Sequence, residues 1–247
     1  MNVVNFEDIS LTIFSRIEII NYFSEVLLSK SKKYITFINP EIFLQQDKDV
    51  VLHNYFKNAD KNFVDGINLL YAINSVLKTK YNSSDRLPGT DFFEYLPNNQ
   101  KINIFFYGAQ EENCLLAKQR IEEKYSNIKI CGYINGYTDK TDEEIVSSIN
   151  NANTDILIVC LGCPKQELWI NQNYKNLKTT IVFGNGGSID FWSGKTKRAP
   201  DFFIKIGFEW FYRLFASFSL SRVKRQSKLL IFLIKYKLKK YKILLQE

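Results

Sequence analysis

Short runs dense in β-branched and aromatic residues recur along the chain at 34–38, 102–107, 128–131, 155–161 and 179–183, mostly ending near Gly or Asn. Runs of this length and composition predict buried strands. Between them, apolar residues fall at helical spacing over 12–29, 48–58, 66–78, 111–125, 142–151 and 165–176. Thr141 stands just before Asp142, Glu143 and Glu144, a helix start with acids at the positive end of the dipole. Turn-rich breaks lie at 82–85 and 96–99. Strands alternating with helices predict an α/β fold, a mainly parallel sheet with helices on both faces. Ligands of such sheets bind beyond the carboxyl ends of the strands.

Composition narrows this picture. A chain of 247 residues, 45% hydrophobic, can bury one sizeable core, so one catalytic domain with an appendage is expected, divided as 1–195 and 196–247. Cys114, Cys131, Cys160 and Cys163 are few for the length and suit reduced thiols in cytoplasm. Cys160 and Cys163 form a C-x-x-C, but with no second pair and a single histidine, His53, a zinc site is poorly supported. The first eleven residues carry Glu7 and Asp8 and lack the basic-then-apolar order of a secretory signal. The longest strictly apolar run near the end, 229–234, is six residues, whereas a spanning helix needs about 20. The expected location is the cytoplasm, at the inner face of the membrane.

Charge singles out the tail. The net charge is +7, but residues 195–247 hold 14 Lys and Arg against Asp201, Glu209 and Glu247, a net +11 that leaves −4 for the rest. These cations alternate with apolar and aromatic groups such as Phe202, Phe203, Phe208, Trp210, Phe211 and Phe215. A basic amphipathic helical appendage of this kind lies in the headgroup layer of an anionic membrane, or packs as a solvated helix on its own domain. Nucleic-acid binding is disfavoured, because no recognised binding motif accompanies the cations.

Several polar groups follow strand-like runs. Asn39 comes after 35–38, and Asp65-Gly66 comes after 62–64. Asp65 either caps the helix that begins near Gly66 or serves as a general base. Gly162-Cys163-Pro164-Lys165-Gln166-Glu167 follows the apolar run 156–161 and reads as a strand-to-helix turn or as a helix start suited to anionic oxygens. Gly184, Gly186 and Gly187 lie in Phe183-Gly184-Asn185-Gly186-Gly187-Ser188-Ile189-Asp190, where backbone can approach a phosphate or sugar closely. The spacing is neither G-x-G-x-x-G nor a P-loop, so no dinucleotide cofactor is expected.

Taken in order, these segments resemble the WecG/TagA/CpsF family of glycosyltransferases, also called glycosyltransferase family 26. The resemblance is carried by Asn39-Pro40-Glu41, Val64-Asp65-Gly66, Arg86-Leu87-Pro88-Gly89-Thr90-Asp91, Gly162-Cys163-Pro164-Lys165-Gln166-Glu167, residues 184–190, Gly194 through Lys197-Arg198-Ala199-Pro200, and Gly207-Phe208-Glu209-Trp210-Phe211-Tyr212-Arg213-Leu214. It implies a Rossmann-like core and an inverting transfer of an N-acetylmannosamine-type sugar from a UDP-sugar donor to a polyprenyl-diphosphate-linked acceptor. It also implies no cofactor and no essential metal. Asp65 falls on the family's proposed catalytic base. The same resemblance places Asn39, Arg86 and Gln166 at the substrate pocket, with the tail arginines Arg213, Arg222 and Arg225 completing the site at the membrane; Thr36, Gly66, Glu167, Gly184, Gly186, Gly187, Asp190 and Arg198 are further substrate-binding candidates. Two positions depart from the family's pattern: Phe37 stands where the family commonly has Thr, the threonine here being Thr36, and Asn185 stands where a small or apolar residue is usual. The departing diphosphate is expected to meet backbone N–H groups near Gly162 and 184–187, together with Arg86, Arg198 or Arg213. A homo-oligomer is compatible with the sequence. A nucleotide-dependent oxidoreductase and a non-catalytic membrane-associated assembly protein are the competing readings of the same architecture.

Overall fold

The computed structural model describes residues 2–46, 48–196, 199–200, 203, 231–232 and 234–236. Eight strands form one sheet: β1 (Asn2–Phe6), β2 (Ile9–Ile13), β3 (Lys33–Ile38), β4 (Lys61–Val64), β5 (Ile102–Gly108), β6 (Ile128–Ile134), β7 (Ile156–Cys160) and β8 (Ile181–Gly184). Their spatial order is β1-β2-β4-β3-β8-β7-β5-β6. Only the β1–β2 hairpin is antiparallel; the remaining pairs are parallel.

Helices cover both faces, as the alternating pattern predicts. On one face lie α2 (Pro40–Gln46), α3 (Val50–Lys57), α4 (Ile67–Leu77), α6 (Asp142–Asn151) and α7 (Lys165–Asn173), packed through Phe43, Phe56, Leu70, Ile149 and Ile170. On the other lie α1 (Arg16–Ser29), α5 (Glu111–Lys124) and α8 (Ile189–Trp192), packed through Phe23, Ile121 and Trp192. The chain leaving β8 therefore turns to the opposite face from the chain leaving its neighbours β3 and β7. A crevice forms at such a divergence, at the carboxyl edge of the sheet.

The structure departs from the sequence expectations at three places. The helix expected over 12–29 begins only at Arg16, because Thr12 and Ile13 complete β2, and Ser15 starts the helix with a capping box closed by Glu18. The β1–β2 hairpin itself escaped the pattern because its turn uses Glu7 and Asp8 at positive φ instead of glycine. The seven-residue α2 was also unforeseen; Pro40 opens it, a position where the missing N–H costs nothing.

The described part of the tail belongs to the core of the sheet domain. Phe232 and Tyr236 are 0% and 2% exposed, with the Tyr236 ring 5.1 Å from Phe6 and the Phe232 ring 6.3 Å from Phe43. Tyr236 Oη donates to Glu7 Oε2 at 2.6 Å, and Lys235 Nζ reaches the same oxygen at 3.3 Å. Ile231 and Ile234 face outward, 58% and 50% exposed. Within this stretch the helix packs on its own domain with one side, and the other presents isoleucine to solvent. Phe232→Ala is expected to cost about 3–5 kcal/mol of stability, as for a large aromatic lost from a packed core. A urea denaturation series checks it; an unchanged midpoint would separate the tail from the fold.

Candidate active site

The carboxyl ends of β4, β3, β8 and β7 are neighbours, and the loops leaving them hold most of the residues picked out in the sequence. Asp65 follows β4 directly. Its N–H donates to Ile38 O at 3.0 Å, which ties it to the end of β3, and its carbonyl accepts from Arg86 Nη1 at 2.8 Å. Its carboxylate Oδ1 accepts from the Gly89 N–H at 3.1 Å. Helix α4 starts at Gly66 with no side-chain cap, so the capping role open to Asp65 in the sequence is not the one it takes. The carboxylate instead bridges to the loop 86–90, half-buried at the edge of the crevice.

That loop is itself tied down. Leu87 N–H donates to Val64 O at 2.9 Å, Trp192 Nε1 donates to Thr90 O at 2.9 Å, and Asn185 Nδ2 donates to Gly89 O at 2.9 Å. Arg86 is buried, and its Nε has no hydrogen-bond partner among the described residues. A buried guanidinium N–H left in this way is costly, and an anionic oxygen brought within its reach would satisfy it.

Gln166 organises the other side of the crevice. Buried at the start of α7, it accepts at Oε1 from the N–H groups of Gly162 (3.2 Å) and Gly186 (2.9 Å), and its Nε2 donates to Glu167 Oε1 at 2.8 Å. One amide oxygen thereby joins the loops after β7 and β8. This corrects the expectation for the leaving diphosphate, since two of the backbone donors proposed for it are already occupied by Gln166. Gly184 is needed because an added Cβ would sit 2.7 Å from Gln166 Cδ, and Gly66 because its Cβ would sit 2.8 Å from Pro40 Cδ. Gly187 is exposed with open space around it.

Other assigned residues are engaged within the fold. Asn39 Oδ1 accepts from the N–H groups of Glu41 and Ile42, both at 3.0 Å, and so caps α2. Thr36 is buried inside β3 with its hydroxyl donating to Asn62 Oδ1 at 2.5 Å, so the structure does not bring it to the crevice. Asp190 Oδ1 accepts from Asn113 Nδ2 at 2.7 Å, which joins α8 to α5. Arg198, Arg213, Arg222 and Arg225 lie outside the described residues. Gly89 is the contributor that sequence reasoning passed over, while Asn185, noted there only as a departure, supplies a side-chain donor. Gly89 acts through its backbone, and its only signal was its place within the segment 86–91.

Among the described residues no three His, Cys, Asp or Glu side chains converge as a metal-ligand set. Burial pushes the Cys160 thiol up and the Cys114 thiol up to about 11, which keeps both protonated and unreactive. A surface groove of about 360 Å³ lined by Glu143, Asn150, Asn173 and Lys178 involves none of the crevice residues.

Comparison with known proteins identifies the family of the chain. Residues 4–243 match the model described as "Glycosyl transferase WecG/TagA/CpsF family". The chain is 38% identical over 188 residues to the N-acetylglucosaminyldiphosphoundecaprenol N-acetyl-beta-D-mannosaminyltransferase of Bacillus subtilis (strain 168), covering 73% of this chain and 70% of the relative. A protein of the same name from Bacillus spizizenii is 31% identical over 218 residues, with 87% and 81% coverage. Another from Staphylococcus aureus (strain NCTC 8325 / PS 47) is 29% identical, with 87% and 84% coverage.

Glu167 gives a pH-dependent prediction. Its carboxyl is buried, Oε2 lacks a partner among the described residues, and burial raises its pKa, offset in part by the Gln166 amide. The native state then holds this proton more tightly than the unfolded chain does. The stability it contributes is full below the ordinary glutamate range and is lost as pH rises through that range to the raised value. Glu167→Gln, which keeps an oxygen for Gln166 Nε2, is expected to flatten that decline in urea midpoints taken from about pH 4 to about pH 8. An unaltered slope would assign the decline to other carboxylates.

Proposed function

The chain belongs to the WecG/TagA/CpsF family of glycosyl transferases, and we propose that it moves an N-acetylmannosamine-type sugar from a UDP-sugar to a polyprenyl-diphosphate-linked acceptor, with inversion and with Asp65 as the base. The observation that carries this reading is the Asp65 carboxylate, half-buried at the carboxyl edge of the sheet and oriented by a backbone N–H instead of being consumed as a helix cap. The names of the relatives, each an N-acetyl-beta-D-mannosaminyltransferase for a GlcNAc-diphosphoundecaprenol, support the choice of donor sugar and acceptor.

In this scheme an acceptor hydroxyl attacks the anomeric carbon from the face opposite the nucleotide diphosphate. Asp65 takes the hydroxyl proton as the new C–O bond forms, and the UDP leaves with the electrons of the broken bond. Charge growing on the departing diphosphate needs fixed donors. Arg86, with an unused buried N–H, supplies one, and the tail arginines assigned by resemblance supply the others. The family assignment leaves the oxidoreductase and the non-catalytic readings without support.

A polyprenyl acceptor stays in the bilayer, so the enzyme must come to its surface. No helix among the described residues is long and apolar enough to cross a membrane, which favours peripheral docking through the basic tail. Deleting the whole tail is a poor test of docking, because it also strips Phe232 and Tyr236 from the core. The exposed isoleucines separate the two roles.

Asp65→Asn is expected to lower turnover by roughly 10²- to 10⁴-fold, the usual share of a positioned base, with the fold unchanged by circular dichroism. Near-normal turnover of a UDP-N-acetylmannosamine donor onto a synthetic lipid-diphosphate acceptor would remove Asp65 from the chemistry. Replacing Ile231 and Ile234 together by Ser should weaken sedimentation with anionic liposomes while leaving the melting temperature near its starting value. Undiminished liposome binding would move the docking surface elsewhere.

A further inference from the structure

Gly89 uses both of its backbone polar groups across the crevice. Its N–H donates to Asp65 Oδ1 at 3.1 Å, and its carbonyl accepts from Asn185 Nδ2 at 2.9 Å. Asn185 is firmly seated. Its own N–H donates to Val159 O at 2.9 Å, which continues the β7–β8 ladder, and its Oδ1 accepts from Ser188 Oγ at 2.7 Å. The side chain therefore reaches from the rigid centre of the sheet to a loop 96 residues earlier in the chain.

Packing adds to the hydrogen bond. A Cβ at position 89 would lie 2.8 Å from both Asn185 Oδ1 and Asn185 Nδ2, so the amide stands hard against the glycine backbone. The loop is fixed on either side of this contact by Leu87 N–H on Val64 O and by Trp192 Nε1 on Thr90 O. Between those ties, Asn185 holds the Gly89 carbonyl, while the Pro88–Gly89 peptide that carries the N–H aimed at Asp65 is also held by the Asp91 N–H on Pro88 O at 2.9 Å.

We propose that Asn185 is a positioning residue of this transferase, holding Gly89 so that its N–H fixes the Asp65 carboxylate. The proposal rests on the reading of Asp65 as the base. Reactive geometry is steep in distance, and a misplacement of about 1 Å costs roughly 10²-fold in rate. Loss of the contact should fall on turnover more than on binding.

The test is a double-mutant cycle in steady-state or single-turnover kinetics with a UDP-sugar donor and a synthetic lipid-diphosphate acceptor. Asn185→Asp keeps the size but replaces the donor by an oxygen; Asn185→Ala removes the contact altogether. Both are expected to lower kcat by about tenfold or more, with KM for each substrate within about twofold and the melting temperature close to that of the parent. In an Asp65→Asn background, Asn185→Ala should cause no further loss, since it acts only through that carboxylate. Unchanged kcat in both folded single variants overturns the proposal, and so does a loss that multiplies with that of Asp65→Asn. Should Asp65→Asn alone retain turnover, the base assignment fails, independently of what Asn185 does.

Discussion

The two halves of the sheet meet along a very short seam. β3 and β8 pair only through Lys33 with Ile181 and Tyr34 with Val182, after which β3 runs on to Ile38 without a partner on that side. The space that opens is filled by aromatic rings: Phe37 lies 4.9 Å from Phe183, and Phe92 lies 4.6 Å from Phe183. Rings at these separations and steep angles pack favourably. They wedge the strand ends apart, and the crevice at the carboxyl edge lies over this wedge. Much else follows from it, including the need for side chains and peptides to bridge the gap.

Two kinds of bridge do so. Gln166 spans the loops after β7 and β8 with one amide, and Asn185 with Gly89 spans from β8 to the residue that follows β4. Neutral amides suit this work, because each offers a donor and an acceptor at fixed spacing and adds no charge to the loops it joins. Arg86, the buried cation of the loop 86–90, is joined to Asp65 through the Asp65 carbonyl.

β3, β5, β7 and β8 were legible because each is a compact β-branched or aromatic run, largely buried, as with Ile156, Leu157, Ile158, Val159 and Cys160 in β7. Helix α6 was legible to the residue because its cap and its acids are local signals. The hairpin and α2 were not, since a turn without glycine and a seven-residue helix carry too little local pattern. Within the site, Asp65 was legible as a carboxylate after a strand, whereas its partner is a backbone N–H, which no residue type announces. The same limit explains why Thr36 and Asn39 looked available: their engagement with Asn62 and with the α2 N-terminus is a matter of geometry.

Glu7 in the hairpin turn receives the hydroxyl of Tyr236, eleven residues before the end of a 247-residue chain. Closure of this corner therefore waits on a contact 229 residues apart in sequence, and a chain cut before Phe232 would leave the apolar surface around Phe6 and Phe43 uncovered and open to proteolysis.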